Sequence, residues 1–85
     1  MRFDKINYLH TDVFDDIKEI KFATNFEENK EVLTTAEIWL QDGNANVVLV
    51  NNETNDIEYT TNEEREFVLN FADKHGLIHL SWKLK

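Results

Sequence analysis

The alternation of apolar and polar residues is clearest near the C-terminal end of the chain. Phe67, Val68, Phe71 and Ala72 recur at helical spacing. They predict one apolar stripe on a helix over about residues 61–75.

The ends of this helix have their own sequence signals. Thr61 and Glu64 have the spacing of a capping box, in which each side chain accepts a hydrogen bond from the backbone N–H of the other. Thr60 and Glu63 have the same spacing one residue earlier, so the helix could also begin there. Gly76 fits the left-handed position that ends many helices. Leu69 lies off the apolar stripe, and we expect it to be half exposed. After the glycine, apolar and polar residues alternate over residues 78–84, which predicts a strand with one buried face.

Residues 34–61 have the period of two that is typical of antiparallel strands. The tripeptide Asp42-Gly43-Asn44 is a strong turn signal, and residues 52–55 form a second one. Loops with an even number of residues would place two apolar sets on opposite faces of the sheet. The first set is Trp39, Val48, Val50, Ile57 and Tyr59, and the second is Ala36, Ile38, Leu40, Val47 and Leu49.

The N-terminal part of the chain gives mixed signals. Its first ten residues fit either a helical turn or a short strand. Apolar residues between positions 13 and 20 lie within one arc of a helix, which predicts a short helix over about residues 12–19. From residue 20 the apolar residues alternate, which predicts a strand over about residues 20–26, followed by a charged turn at residues 27–30.

Together these elements predict an α+β fold in a single domain over residues 1–85. An antiparallel sheet of four or five strands, made of a meander over about residues 20–60 and the strand over 78–84, packs on the helix over about 61–75. Because both sheet faces are apolar, the second face needs a cover as well. The N-terminal segment, a second copy of the chain or a partner would supply it.

Charge is the property that most restricts function. The 85 residues include 17 Asp and Glu against nine Lys and Arg, a net charge of −8. This balance argues against direct binding of nucleic acid, which needs a basic surface, and against anionic membranes. There is no cysteine, and the sequence contains neither a signal-peptide pattern nor a membrane span, which predicts a cytoplasmic protein.

No residue pattern predicts catalysis, a metal site or a cofactor. His75 and His79 are four residues apart, but Gly76 breaks the helix on which that spacing would form a metal pair. Ser81 is about 7 Å from His79 along a strand, too far for a ready hydrogen bond. We therefore expect a non-enzymatic protein; a small enzyme or ligand-binding domain, with a pocket between sheet and helix, is the alternative.

Acidic residues provide the functional hypothesis. Asp12, Asp16 and Glu19 would form a stripe on the predicted N-terminal helix, and carboxylates about 5–6 Å apart imitate the phosphate spacing of a nucleic-acid strand. In size, charge and lack of an active site, the chain is similar to phage-encoded DNA mimics such as anti-CRISPR proteins and uracil-DNA glycosylase inhibitors. The similarity is one of type, and no family motif is matched.

These features predict a small acidic protein that binds and inhibits a protein partner with a basic groove. A homodimer formed through the second sheet face, as a structural or assembly module, is a further alternative. Trp39 is expected either as a core residue under the helix, which we favour, or as an exposed contact residue. The predicted partner-binding residues are Asp12, Asp15, Asp16, Glu19, Glu27, Glu28, Glu53, Asp56, Glu58 and Trp39.

Overall fold

The computed structural model describes residues 2–24 and 34–78. Over these residues the fold is α+β, as predicted: five antiparallel strands form one sheet in the order of the chain, and one helix follows them. The elements are β1 (Ile6–Phe14), β2 (Ile17–Thr24), β3 (Thr34–Gln41), β4 (Asn44–Asn51), β5 (Ile57–Tyr59) and α1 (Asn62–Lys74).

Two predicted segments lie wholly or mostly outside the described residues. They are the charged turn at residues 27–30 and the strand over residues 78–84, of which only Ile78 is described. The predicted strand over 20–26 corresponds to β2, which begins three residues earlier.

The central hairpin β3–β4 has the register that the alternation predicts. Ile38 pairs with Val47, and the two turn residues Asp42 and Gly43 have φ angles of 52° and 77°. Positive φ at both central positions is what a type I′ turn requires, and its twist matches that of the flanking strands. The second loop keeps the predicted register as well, so both apolar sets lie on the predicted faces.

Helix α1 begins and ends where the sequence predicts. Thr61 and Glu64 form the capping box, with N···O distances of 2.9 and 3.2 Å. Gly76 has a φ of 72°, and the N–H of Leu77 donates to the carbonyl of Ala72 over 2.8 Å. This is the hydrogen bond of a Schellman motif, which satisfies a carbonyl left free at the helix end.

The buried stripe of α1 is rotated relative to the prediction. Leu69 was expected to be half exposed but is fully buried, because the stripe is centred on Val68 and Ala72. Their small side chains let the helix approach the sheet closely. Phe67 and Phe71 lie on the flank, each edge-on to a phenylalanine from the N-terminal part of the chain, with ring centroids 5.9 and 5.8 Å apart. These pairs join the helix to the segment before β1, through Phe3, and to β2, through Phe22.

The core therefore forms between α1 and one face of the sheet, which we call the inner face. Aromatic rings at its margin and small aliphatic side chains at its centre allow this thin, two-layer core to close. Its sheet residues include Ile20, Phe22, Ala36, Ile38, Leu40, Ala45, Val47 and Leu49, all at most 6 % exposed.

The predicted N-terminal helix over residues 12–19 is wrong. This segment is the end of β1, a two-residue turn and the start of β2, with Val13 paired to Lys18 across the hairpin. Asp15 has a φ of 48°, a left-handed conformation that Asp tolerates better than most residues. The apolar residues read as one helical arc in fact lie on both sides of this turn. Because β1 extends the sheet, it does not cover the second face.

Candidate binding surfaces

Asp12 and Glu19 are brought together, but not in the predicted way. They lie opposite each other on β1 and β2, on the sheet face away from α1, which we call the outer face. Lys21 places its Nζ 3.0 Å from Asp12 Oδ2 and 3.8 Å from Glu19 Oε1, and His10 Nε2 lies 3.3 Å from the same Asp12 oxygen. These acids are therefore partly neutralised within the chain.

The ionisation of this cluster follows from its geometry. The hydrogen bond from Lys21 lowers the pKa of Asp12 below its usual range, and the same bond raises the pKa of Lys21. Asp12 stays a carboxylate and Lys21 an ammonium across the neutral range. A partner's lysine or arginine would have to compete with Lys21 for Asp12.

Three exposed carboxylates lie at the neighbouring hairpin turns. Asp15 and Asp16 form the β1–β2 turn, and Asp42 begins the β3–β4 turn at the same end of the sheet. Lys18 pairs with Leu40, so extending that register by two residues brings Asp16 level with Asp42. Within the described residues, the side chains of these three aspartates have no hydrogen bond or ion pair. All three are exposed.

Two exposed apolar side chains stand beside these carboxylates. Val13 is 68 % exposed and Phe14 is 52 % exposed, immediately before the first turn. We call Val13, Phe14, Asp15, Asp16 and Asp42 the tip surface. The sequence pattern predicts both turn aspartates as partner-binding residues but places Val13 and Phe14 on the apolar arc of a helix. The one signal for a turn was the Asp15-Asp16 pair itself, since Asp is common in turns.

A cleft of about 480 Å³ opens beside the tip surface, between the two turns and the C-terminal end of α1. It combines two carboxylates, one ammonium group and an apolar wall. No histidine, serine or threonine is among the described residues that line it, so its titratable side chains are those of Asp16, Asp42 and Lys18. Its lining consists of Asp16, Lys18, Leu40, Gln41, Asp42, Gly76, Leu77 and Ile78.

Trp39 lies on the outer face, so its expected position under the helix is wrong. Its chain neighbours Ile38 and Leu40 take the core positions, and Trp39 faces Asn46 on β4. The indole is half-buried, and its Nε1 donates to Glu37 Oε1 over 2.9 Å. This bond satisfies a carboxylate that is only 6 % exposed. Trp39 as a partner contact stays a prediction.

The remaining predicted acids lie at the other end of the sheet. Asp56 accepts a hydrogen bond from Thr54 Oγ1 over 2.9 Å, while Glu53 in the same loop is exposed. Glu58 on β5 is 72 % exposed, with Oε2 3.5 Å from Nη1 of Arg2. Ile57 and Tyr59 are exposed apolar neighbours of these acids, but two of the three carboxylates already have partners within the chain, Asp56 with Thr54 and Glu58 with Arg2. Glu27 and Glu28 lie outside the described residues.

A polar link between the chain start and α1 was missed by sequence analysis. The fully buried Glu64 carboxylate accepts from Arg2 Nε and Nη2 over 3.0 and 2.8 Å, and from Arg2 N over 2.8 Å. It also accepts from the backbone of Thr61. These hydrogen bonds, that of the Arg2 side chain first, hold the pKa of Glu64 well below its usual range. The partners are 62 residues apart, so no local sequence signal predicts the link.

The side chain of His75 packs at the C-terminal end of α1. The ring of His75 stacks on Phe71 with centroids 4.1 Å apart, and Nδ1 lies 2.9 Å from the Phe71 carbonyl oxygen. Within residues 2–24 and 34–78, no group of three His, Asp or Glu side chains is arranged to hold a metal ion. His79 and Ser81 lie outside the described residues.

Comparison with protein-family models, curated proteins and solved structures yields no match for this chain. Among the residues that the structure describes, no helix is both long and apolar enough to cross a membrane. The function must therefore be argued from the surfaces above.

Proposed function

We propose that this chain is a small, acidic, cytoplasmic protein without enzymatic activity, which binds a basic surface of a protein partner and blocks it. The observation that carries the proposal is the tip surface. It presents Asp15, Asp16 and Asp42, whose side chains have no hydrogen bond or ion pair within the described residues, next to the exposed side chains of Val13 and Phe14.

The tip surface suits a protein partner because it combines electrostatic attraction by carboxylates with apolar side chains that can be buried on binding. Exposed carboxylates steer a basic surface towards the tip and accept hydrogen bonds from its lysines and arginines. Phe14 supplies an aromatic side chain of the kind that dominates binding energy when it enters a pocket. The three aspartates lie in tight turns and Phe14 at the end of a paired strand, so little ordering of the backbone is needed on binding.

The acids on the β-strands lie outside the proposed site. Asp12 and Glu19 are already contacted by Lys21, so they contribute to the long-range field more than to direct contacts. Imitation of a nucleic-acid strand is the narrower form of the proposal. In that form, the carboxylates of the two turns and the net charge of −8 would imitate the phosphates, in place of the predicted stripe on a helix.

The test compares two variants with the same change in charge. One carries Asp15→Asn, Asp16→Asn and Asp42→Asn, which removes three charges from the tip and keeps residues that tolerate the turn conformation. The control carries Glu53→Gln, Asp56→Asn and Glu63→Gln, which removes three charges elsewhere. Wild-type protein and both variants are used to capture basic proteins from a bacterial lysate, and a purified captured protein is then titrated with each.

We expect the tip variant to lose at least tenfold in affinity, equal to about 1.4 kcal/mol, and the control to lose much less. Added salt should weaken the wild-type complex. Phe14→Ala should weaken it with little change in salt dependence. Equal losses in the tip variant and control would contradict a localised site, and a complex that is indifferent to salt would contradict the acidic mode of binding. Competition by double-stranded DNA would support nucleic-acid mimicry in particular.

A further inference from the structure

Exposed apolar side chains are concentrated on the edge strand β1. Of the six large hydrophobic side chains that are most exposed among the described residues, four belong to this strand: Tyr8, Leu9, Val13 and Phe14, at 41 %, 43 %, 68 % and 52 %. The other two, Ile57 and Tyr59, belong to β5, which has only three residues.

The outer edge of β1 is also open over a long stretch. β1 has nine residues, pairs with β2 on one side, and pairs with no strand of the described residues on the other. A long edge with exposed apolar side chains is a template for another strand. Proteins that remain monomeric usually protect such an edge with lysines or proline. Here the protection within β1 amounts to one irregularity between Tyr8 and His10.

The charges on β1 favour a second copy of the same strand. His10 and Asp12 both lie on the outer face. Two antiparallel β1 strands related by a twofold axis at Thr11 would place His10 of each copy opposite Asp12 of the other, and Leu9 opposite Val13. Opposite residues in an antiparallel pair share a face and interact directly. Within one chain His10 and Lys21 already contact Asp12, so the twofold pairing would let each Asp12 accept a further contact from His10 of the other copy, as an ion pair where that histidine is protonated. The strand is therefore self-complementary in polar and in apolar contacts, as a twofold interface requires.

We propose that β1 pairs with β1 of a second copy, so that the sheets of the two copies, each with five strands among the described residues, join into one continuous sheet. This inference does not depend on the proposed function, and the two respond oppositely to salt. Each copy has a charge of −8, so the copies repel one another, and added salt should tighten the dimer. The interface is small, so we expect a dissociation constant on the order of 10–100 μM.

The test uses two variants that each add one positive charge at an exposed edge position. Leu9→Lys places lysines in the proposed interface, and Tyr59→Lys places them on the opposite edge. Sedimentation velocity from about 10 μM to about 1 mM measures the dimer, and far-UV circular dichroism checks the fold. We expect Leu9→Lys to raise the dissociation constant at least tenfold and Tyr59→Lys to leave it unchanged, although both reduce the net negative charge equally.

A charge exchange tests the register of the two strands. His10→Asp alone would place like charges opposite each other twice and should weaken the dimer about tenfold. Adding Asp12→His should restore most of the affinity, measured below about pH 6.5 where histidine is charged. A wild-type protein that is monomeric at about 1 mM, or a dimer that survives Leu9→Lys, would overturn the proposal. A dimer lost in Tyr59→Lys would overturn it too, since the interface would then lie on β5.

Discussion

The two hairpins β1–β2 and β3–β4 have the same kind of turn but different structural surroundings. Each turns through two residues and begins the turn with an aspartate in the left-handed region, Asp15 at a φ of 48° and Asp42 at 52°. The β3–β4 hairpin has neighbouring strands on both sides and α1 on its inner face. The β1–β2 hairpin sits at the edge of the sheet and exposes Phe14 beside its turn. Both hairpins contribute buried residues to the core, Ile20 and Phe22 from the first and Ile38 and Val47 from the second, but the first hairpin also presents large exposed apolar side chains at its turn.

The largest expected effect concerns the core of the central hairpin. Ile38 on β3 is fully buried against α1, so Ile38→Ala should remove packed methyl groups and leave a cavity, at a cost of about 3 kcal/mol in the free energy of unfolding. Phe14→Ala on the other hairpin should change it by less than about 0.5 kcal/mol. Urea unfolding followed by far-UV circular dichroism measures both.

This comparison would fail if the two losses were similar. A large loss in Phe14→Ala, at protein concentrations where the chain is monomeric, would mean that its ring packs on the chain itself and is not free for a partner. Unfolding at several concentrations separates that outcome from stabilisation by self-association, because a dimer makes the midpoint depend on concentration.

Sequence patterns predicted the central hairpin well because its surroundings are uniform. Alternation at Ile38 and Val47, together with the Asp42-Gly43 turn, determined both register and faces. The helix was predicted from its caps, which are local interactions. Only the rotation of its stripe was wrong, since Leu69 is buried by tertiary packing that the helical spacing alone does not reveal.

The first hairpin could not be predicted in the same way, because an edge strand lacks a uniformly buried face. Val13 and Phe14 are exposed on opposite faces, so their spacing imitates a helix. Acidic composition identified Asp15 and Asp16 as candidates, but not the pairing of Asp12 with Lys21, which depends on the hairpin register. The sequence therefore identifies the acidic residues. The fold is needed to distinguish carboxylates that are paired within the chain, such as Asp12, from those without a partner among the described residues, such as Asp15 and Asp16.

An intermediate effect on stability is expected from the link between Arg2, before β1, and Glu64 in the first turn of α1. In Glu64→Gln an amide replaces a buried carboxylate that accepts hydrogen bonds from Arg2 and Thr61. It cannot accept all of them, and we expect a loss of about 2 kcal/mol at neutral pH. Glu63→Gln is the matched control, because Glu63 is an exposed residue in the same turn of α1.

The Arg2–Glu64 link should make the free energy of unfolding fall as the pH is lowered. The pKa of Glu64 is lower in the folded chain than in the unfolded chain, so its contribution to stability is present above the unfolded value of about 4.3 and is lost as the pH falls towards the folded value. Wild type and Glu63→Gln should lose stability between about pH 5 and pH 3 more steeply than Glu64→Gln. Parallel pH profiles for all three proteins would contradict the role of the Arg2–Glu64 link.

The smallest expected effect is the difference in stability between alanine substitutions in the two turns. Gly43 has a φ of 77°, where an added Cβ is strained, so Gly43→Ala should destabilise the fold by about 1 kcal/mol. At Asp15 the chain already places a Cβ at positive φ, so Asp15→Ala should cost only a few tenths of a kcal/mol, the loss of the tolerance of Asp for this conformation. Urea midpoints resolve the difference. If Asp15→Ala cost as much as Gly43→Ala, the Asp15 side chain would be holding the turn, and its carboxylate would be less free for a partner than the tip surface requires.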